Sequence, residues 1–439
     1  MTREPRIGFV SIAAPWFDTA TAQGHLEATR QWLTGQGAVF GPERLITGMP
    51  ELERAISELD TARVDVLVLQ IGTFPDGNAP VRLAEELRVP VILHGLPEPD
   101  LSASVPLNSL CGVNLSTFTL SALKHPHSFV FGHPRDDALR RHLVGHLRAA
   151  FSLKGMRGKR LALVGFRAPG FYPCVFDELL LRRKLGLAVE HVGLHRLVEQ
   201  IGQARRKAAP HESFPTTEGG RLSEDAVASQ ERYYGALTEL LQDGGHDLVA
   251  IKDWPEIEHF DPDVPGGFWP ALGWVQDDGV NLAPEGDVNG AVSMQLAADI
   301  SGRHPFFADI SAWNDADSTL HLWHYGGAPS LARDAAEVRF GQEGREVEFT
   351  LEPGRATLVR LGLMDGSLRL LSIAVEIVDQ RLTLRRAAGL ARTLDNGAGE
   401  VVRRMLEDGW EHHVSLAYGD RREAVRAFGR FAGIPVTEL

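Results

Sequence analysis

Cysteine is scarce in this chain, with only Cys111 and Cys174 among 439 residues. A secreted protein of this size stapled by disulfides ordinarily carries more, so a reducing, cytoplasmic setting is expected. Long hydrophobic runs are also missing. The first six residues lead only into the short IGFVSIA (7–13), too brief for a signal-peptide core, and no later run reaches the roughly 18 apolar residues of a membrane span. Positive charge is in deficit, 45 Lys and Arg against 58 Asp and Glu for a net charge of −13. That excludes the basic face that nucleic acid or an anionic membrane requires. Several motifs are absent as well. No GxSxG elbow, HExxH helix, GxGxxG fingerprint or GK[ST] loop occurs, and the glycine-bearing GFRAPGF (165–171) fits none of them, so hydrolase, zinc-protease and nucleotide-enzyme readings are disfavoured.

What is present reads as globular: 44% hydrophobic and 23% charged residues, in a length that suits two or three domains. Continuous apolar runs at 7–13, 64–72, 89–97 and 128–134 alternate with helical stretches, the mark of parallel strands buried on both faces. A second such unit opens with the strand RLALVGF (160–166) and the helical 175–185. It continues through a polar, looped 207–224 and a helix to the strand DLVAIKDWP (247–255). Beyond 333 the texture becomes alternating, in REVEFTLEPGRATLVRLG (345–362) and SLRLLSIAVEIV (367–378), with PG and DG turn signals between, as antiparallel strands require. The helix-like RREAVRAFGRFAG (421–433) closes the chain. The expectation is an α/β protein with two Rossmann-like parallel-sheet domains, 1–153 and 154–332, followed by a mainly antiparallel, barrel-like β domain, 333–439.

In open α/β sheets, ligands gather at the carboxyl ends of strands, so acids and histidines just after buried runs are the first candidates. Glu285 precedes GDVNGAVSMQLAADIS (286–301), where Val288, Val292, Leu296 and Ile300 mark a helix packed on one side; Glu285 is expected at its N-terminus, in the favourable end of the helix dipole. Asp309 ends the apolar run of HPFFADIS (304–311). His412 and His413 lie before or within a strand. Two carboxylates and an imidazole make a hard-leaning oxygen and nitrogen site that suits Mn²⁺ or a similar cation better than structural zinc. Each also has an ordinary reading: Glu285 as a helix cap, Asp309 as a turn residue, and the two histidines as one buried and one exposed neighbour on a strand.

The segments KDWPE (252–256), PEGDVNGA (284–291), FFADIS (306–311), HYGGAP (324–329), GRATLVRL (354–361) and HHVSLAYGD (412–420), in that order, resemble the catalytic signature of the L-fucose/L-arabinose isomerase superfamily. Looser similarity precedes them in QIGTFPDG (70–77), NSLCG (108–112) and GFRAPGF. The resemblance implies that Glu285 and Asp309 bind a divalent cation, Mn²⁺ or else Mg²⁺ or Co²⁺, and act as the acid/base pair. One of His412 and His413 completes the metal shell, His413 being preferred. His324 is a substrate or metal contact, or else orients its loop. Asp at 309 is similar to the fucose-type members, since arabinose-type members carry Glu there. Asp253 stands where the family often has Cys, and the chain is shorter than those enzymes.

The implied reaction is aldose–ketose isomerisation of a monosaccharide: a proton leaves the carbon alpha to a carbonyl, an enediol or enediolate forms, and the proton returns to the neighbouring carbon. A cation eases the developing charge and carboxylates within hydrogen-bond reach move the protons. The resemblance implies a pentose, hexose or deoxyhexose, and Arg167 and Lys252 leave open an anionic, sulfonated hexose, because a guanidinium binds an anionic group in a forked geometry; either residue is equally consistent with an ordinary ion pair. Trp16, Phe74, Phe171 and Trp313 are candidate pocket walls, or core aromatics. The resemblance also implies a homo-oligomer, a trimer or hexamer. The competing reading is a non-catalytic sugar-binding or sensory α/β protein.

Overall fold

The computed structural model describes residues 4–101, 104–203, 207–208, 215–217, 219–257, 268–341, 344–382 and 386–439; the expected polar loop at 207–224 lies partly outside them. The chain divides into two compact units, Met1–Gly155 with Arg426–Ile434, and Met156–Val425 with Pro435–Leu439. Among the described residues no helix is long and apolar enough to cross a membrane.

The first unit is built on a five-stranded sheet of β1 (Arg6–Ile12), β2 (Ala38–Phe40), β3 (Val66–Ile71), β4 (Val91–Gly95) and β5 (His127–Phe131), in the order β2-β1-β3-β4-β5. Every pairing is parallel. This is the order of a doubly wound sheet. Four of its strands coincide with the continuous apolar runs of the sequence. The three-residue β2 does not, because it is only half-buried and too short to leave a pattern. Val66, Leu67, Val68 and Leu69 are all fully buried, as a strand covered on both faces requires.

The second unit holds two sheets. A four-stranded parallel sheet orders β7 (Ala188–Val192), β6 (Arg160–Val164), β8 (Leu248–Ile251) and β9 (Asn281–Ala283). The order turns back between β6 and β8, so the carboxyl ends of β6, β8 and β9 open on one switch point. The helix after β6 begins at Glu178, behind a 3₁₀ turn over Tyr172–Cys174, and so is shorter than the 175–185 expected. Asp177 caps it by accepting from the Leu180 amide.

The larger sheet has nine strands: β10 (Phe306–Asn314), β11 (Thr319–His324), β12 (Arg339–Phe340), β13 (Val347–Thr350), β14 (Gly354–Met364), β15 (Ser367–Ile377), β16 (Ala387–Thr393), β17 (His413–Tyr418) and β18 (Val436–Glu438). Six of them close on themselves through antiparallel pairs, β16 to β11, β10, β17, β14, β15 and back to β16. Closure removes the free edges of those strands, and the barrel-like expectation holds. The helix Val288–Ser301 corrects a detail: it is buried at every position except Ala298 and Asp299, so it is packed nearly all round rather than on one side. Small residues permit this: Gly290 leaves room for the Phe307 ring of β10, and Ser293 Oγ accepts from the Leu361 amide of β14.

The core of this unit includes the fully buried Trp274, edge-on to Tyr234 at 5.7 Å and to Phe340 at 6.4 Å between ring centroids. Truncation of Trp274 to Ala is expected to cost about 3–5 kcal/mol by lost burial and a residual cavity, read as a lowered urea midpoint. A loss below about 1 kcal/mol would show that the ring is not a core element.

Candidate active site

Three backbone segments meet at the switch point of the four-stranded sheet. Gly165 follows β6, Lys252 to Trp254 follow β8, and Pro284 to Asp287 follow β9. The Glu285 and Gly286 pair turns the chain with φ of 61° and 68°. The Gly286 amide donates to the Ile251 carbonyl, and an added Cβ at Gly286 would strike the Phe166 carbonyl and lie 2.8 Å from the Arg167 Cα. Glycine is therefore needed here both for the left-handed backbone and for the close approach. The helix begins only at Val288. Its cap is Asp287, whose Oδ1 accepts from the Gly290 amide, so Glu285 stands before the helix and not at its N-terminus as expected.

The barrel supplies the other wall. Asp309 on β10 and His413 on β17 are direct cross-strand partners, so their side chains leave the sheet on one face. Around His413 the groups converge: Nε2 lies 2.9 Å from Glu285 Oε2 and 3.3 Å from Asp309 Oδ1, while Nδ1 lies 2.9 Å from Asp287 Oδ2. Glu285 is clamped at two points, its amide donating to Asp253 Oδ1 at 2.7 Å and its Oε1 accepting from Trp254 Nε1 at 3.0 Å. Asp253 is itself buried and accepts from Trp269 Nε1.

Among the described residues, the buried Glu285 Oε2, Asp309 Oδ1 and His413 Nε2 make their close polar contacts chiefly with one another. Two carboxylate oxygens gathered on one buried imidazole nitrogen, with little else to satisfy them, are an arrangement that a cation would stabilise. Three ligand groups are close enough to hold one: Glu285 with His412 and His413, Asp309 with His324 and His413, and Cys174 with Asp287 and His413. The third set is the poorest, because the Arg360 guanidinium already sits on Asp287 Oδ2 and repels a cation there. Oxygen and imidazole donors fit a hard divalent ion.

The charges are pulled apart by their surroundings. Burial raises the Asp309 carboxyl to about 6, although His413 opposes the shift. Burial also raises Glu285, but His413 more than offsets it and leaves Glu285 below the usual range. Burial works against a charge on His413, yet Asp287, Cys174 and Glu285 outweigh it and hold the ring well above its ordinary value. Desolvation pushes His412 down to about 4 and His324 to about 3, so both rings are neutral at pH 7.

The structure brings together Glu285, Asp309, His412, His413 and His324. The expected alternation holds: His413 is buried and the side chain of His412 is 42% exposed, on the accessible side. Phe171 packs edge-on to His412 and Trp254, and Phe307 lies against His413 and His324. Arg167 stacks over Phe166 and Tyr172 and lines a cavity of about 730 Å³ with Phe176, His191 and Leu363. Lys252 is engaged with Glu256 at 2.5 Å. Trp313 lies half-exposed at the far end of β10, beyond a register shift at Ile310–Ala312, with Nε1 on Asp315. Trp16 and Phe74 belong to the first unit, the former exposed and the latter against Phe17. Asp287, Arg360, Cys174 and Trp254 escape a reading of the sequence. The cap position of Asp287 is the one local signal that could have drawn attention to it.

Two expectations follow. Gly286→Ala is expected to cost roughly 1–3 kcal/mol in backbone strain and to lower the melting temperature; an unchanged melting curve would contradict the turn geometry. Burial raises the Asp253 carboxyl to about 7. Its stabilising contribution is therefore complete below the unfolded value near 4 and lost as pH rises through about 7. In cation-free protein, wild type should lose more stability than Asp253→Asn between pH 4 and 7.5 in urea titrations; parallel profiles would contradict the shift.

No family model matches the chain. It is similar over nearly its whole length to sulfoquinovose isomerases: 28% identical over 448 residues to that of Alkalicoccus urumqiensis, covering 98% of each chain, and 26% identical over 443 residues to that of Priestia megaterium, covering 97% of each. An L-arabinose isomerase of Acidothermus cellulolyticus is 23% identical over 350 residues, 72% of this chain and 67% of that one. The similarity thus extends beyond the six segments, over nearly the whole chain to sulfoquinovose isomerases and over 72% of it to an L-arabinose isomerase, and it supports the L-fucose/L-arabinose isomerase superfamily of aldose–ketose isomerases.

Proposed function

We propose that the chain is a divalent-cation-dependent aldose–ketose isomerase whose substrate is a sulfonated hexose. The observation that carries the metal reading is the convergence of Glu285 Oε2 and Asp309 Oδ1 on His413 Nε2 in a buried site. The reading of the sugar rests on the sulfoquinovose isomerases to which the chain is similar. On the three-part division 1–153, 154–332 and 333–439, which belongs to the same proposal, the second part brings both carboxylates and the third brings His413. A homo-oligomer, a trimer or hexamer, and a cytoplasmic setting are also part of it.

Glu285, Asp309 and His413 would hold the cation, with His412 or His324 beside them. Bound there, Mn²⁺ or a similar ion would supply positive charge that offsets the charge developing on the enediolate. The two carboxylates then divide the proton transfers, since their environments set them apart. Glu285, held ionised, takes the C2 proton of the open-chain aldose. Asp309, the carboxyl that burial favours in its protonated form in the cation-free protein, gives its proton to the C1 oxygen and takes the one on the C2 oxygen. Glu285 returns its proton to C1, and the enediol becomes the ketose with both carboxyl groups restored. The neutral His412 at the opening can accept from or donate to a sugar hydroxyl. Trp254 and the Glu285 amide contact to Asp253 keep the base in place.

Arg167 is the better candidate for the sulfonate. Lys252 already has a carboxylate, whereas the guanidinium of Arg167 lies over two aromatic faces, which leaves its N–H edge for two of the sulfonate oxygens in a cavity that Asp177 and Glu178 also line.

Assay of the metal-stripped full chain, with and without Mn²⁺, against L-fucose, L-arabinose and a 6-sulfonated aldohexose tests the reading. Mn²⁺-dependent ketose formation from the sulfonated sugar is expected. Glu285→Gln should lower kcat by about 10²–10⁴-fold, and full turnover by that variant would remove Glu285 from the chemistry. Arg167→Leu should raise KM for the sulfonated sugar by roughly 10–100-fold through the loss of a charge-assisted contact, with a smaller effect on an uncharged sugar. Equal effects on both would remove Arg167 from the anion site. Sugar binding without turnover under any cation would favour the non-catalytic binding protein.

A further inference from the structure

We propose that Asp287 is a positioning residue that, backed by Arg360, fixes the His413 ring with its proton on Nδ1 and its Nε2 lone pair facing the Glu285 and Asp309 oxygens. This rests on the reading of those atoms as a cation site. Asp287 is completely buried, and its two oxygens are fully used. Oδ1 accepts from the Gly290 amide at 2.8 Å, while Oδ2 receives both His413 Nδ1, at 2.9 Å, and the Arg360 guanidinium. Three donors on three different elements, the helix start, β17 and β14, hold this carboxylate in one orientation. It is unable to act as a further ligand.

The surrounding acids favour a second proton on the cation-free His413 ring, and a cation bound at Nε2 would displace that proton; the neutral imidazole then has one donor and one acceptor nitrogen. When Nδ1 donates to a carboxylate, Nε2 becomes the acceptor, and here Nε2 faces Glu285 Oε2 and Asp309 Oδ1. Carboxylate partners of this kind set the tautomer and orientation of metal-ligating histidines. Arg360 has the complementary part. Its side chain is wholly buried, donates to the Pro173 carbonyl at 3.3 Å and lies 3.9 Å from Glu411, so it balances the Asp287 charge without approaching the open side of the site. The paired charges also keep Asp287 from adding a net negative charge to the site occupied by Glu285 and Asp309.

The replacement Asp287→Asn separates orientation from bulk. The amide oxygen can stay with the Gly290 amide, but the amide nitrogen then faces His413 Nδ1 as a donor. The ring proton moves to Nε2, and an N–H points where the lone pair should be. Titration of EDTA-stripped full chain with Mn²⁺ by calorimetry is expected to show binding about 10–100-fold weaker than wild type, with Asp287→Glu recovering most of the loss. If the unpaired Arg360 prevents folding of that variant, Asp287→Asn with Arg360→Gln removes the orphaned charge and takes the same titration. A spectroscopic readout is independent of stability. With Mg²⁺ bound, ¹⁵N-histidine-labelled wild type should show His413, assigned by difference with His413→Gln, protonated at Nδ1 and not at Nε2. Affinity within twofold of wild type in the Asn variant, or a proton on Nε2 in wild type, would overturn the assignment to Asp287 alone. Wild type that binds no Mn²⁺ would overturn it together with the cation site.

Discussion

The buried imidazole of His413 stands between two sets of acids, Asp287 on its Nδ1 side and Glu285 with Asp309 on its Nε2 side. Every other feature of the site can be understood as holding one of those partners in place. Asp287 is fixed by Arg360 and the helix start, Glu285 by Trp254 and Asp253, and Asp309 by its cross-strand pairing with His413 itself. A concentration of buried charge like this is costly unless each group is paired, and here Asp287 on the inner side is satisfied by three donors while Glu285 Oε2 and Asp309 Oδ1 on the outer side share the one nitrogen of His413. The division between a satisfied inner side and an incompletely satisfied outer side is the physical basis for reading the outer side as the reactive one.

Two architectures cooperate to make that division. The parallel sheet contributes loops at its switch point, where chain direction alone gathers β6, β8 and β9 ends. The barrel contributes strands, where side chains are aimed by register and not by loop conformation. Glu285 thus comes from a strained left-handed turn that needs Gly286 beside it, and Asp309 and His413 come from regular strand pairing. A loop ligand set against rigid strand ligands gives a site whose geometry is fixed on the barrel side.

Much of the fold was legible in the residues. Continuous apolar runs marked the parallel strands, and PG and DG turns marked the long hairpin of β14 and β15, although Ala356–Gly362 and Leu370–Val375 are buried on both faces and not on one. The ligand candidates were legible in part, from acids and histidines beside buried runs and from the six segments of family resemblance. What was not legible is informative. Asp287 and Arg360 are 73 residues apart and are joined only by the packing of the helix Val288–Ser301 on β14. The registration of Asp309 with His413 depends on a strand pair separated by a hundred residues, and no local pattern encodes it. Glu285 was read as a helix-terminal acid because the run after it is helical, but the cap position went to Asp287, whose side chain reaches the Gly290 amide.

The cation site is the claim on which the rest of the functional account depends, and its position is specific. Anomalous diffraction at the manganese edge, from crystals of the full chain soaked in Mn²⁺, locates the ion directly. The account predicts one peak within coordinating distance of Glu285, Asp309 and His413 Nε2. A peak on the opposite face of the ring, beside Cys174 and Asp287, or no peak at this cluster at all, would contradict it.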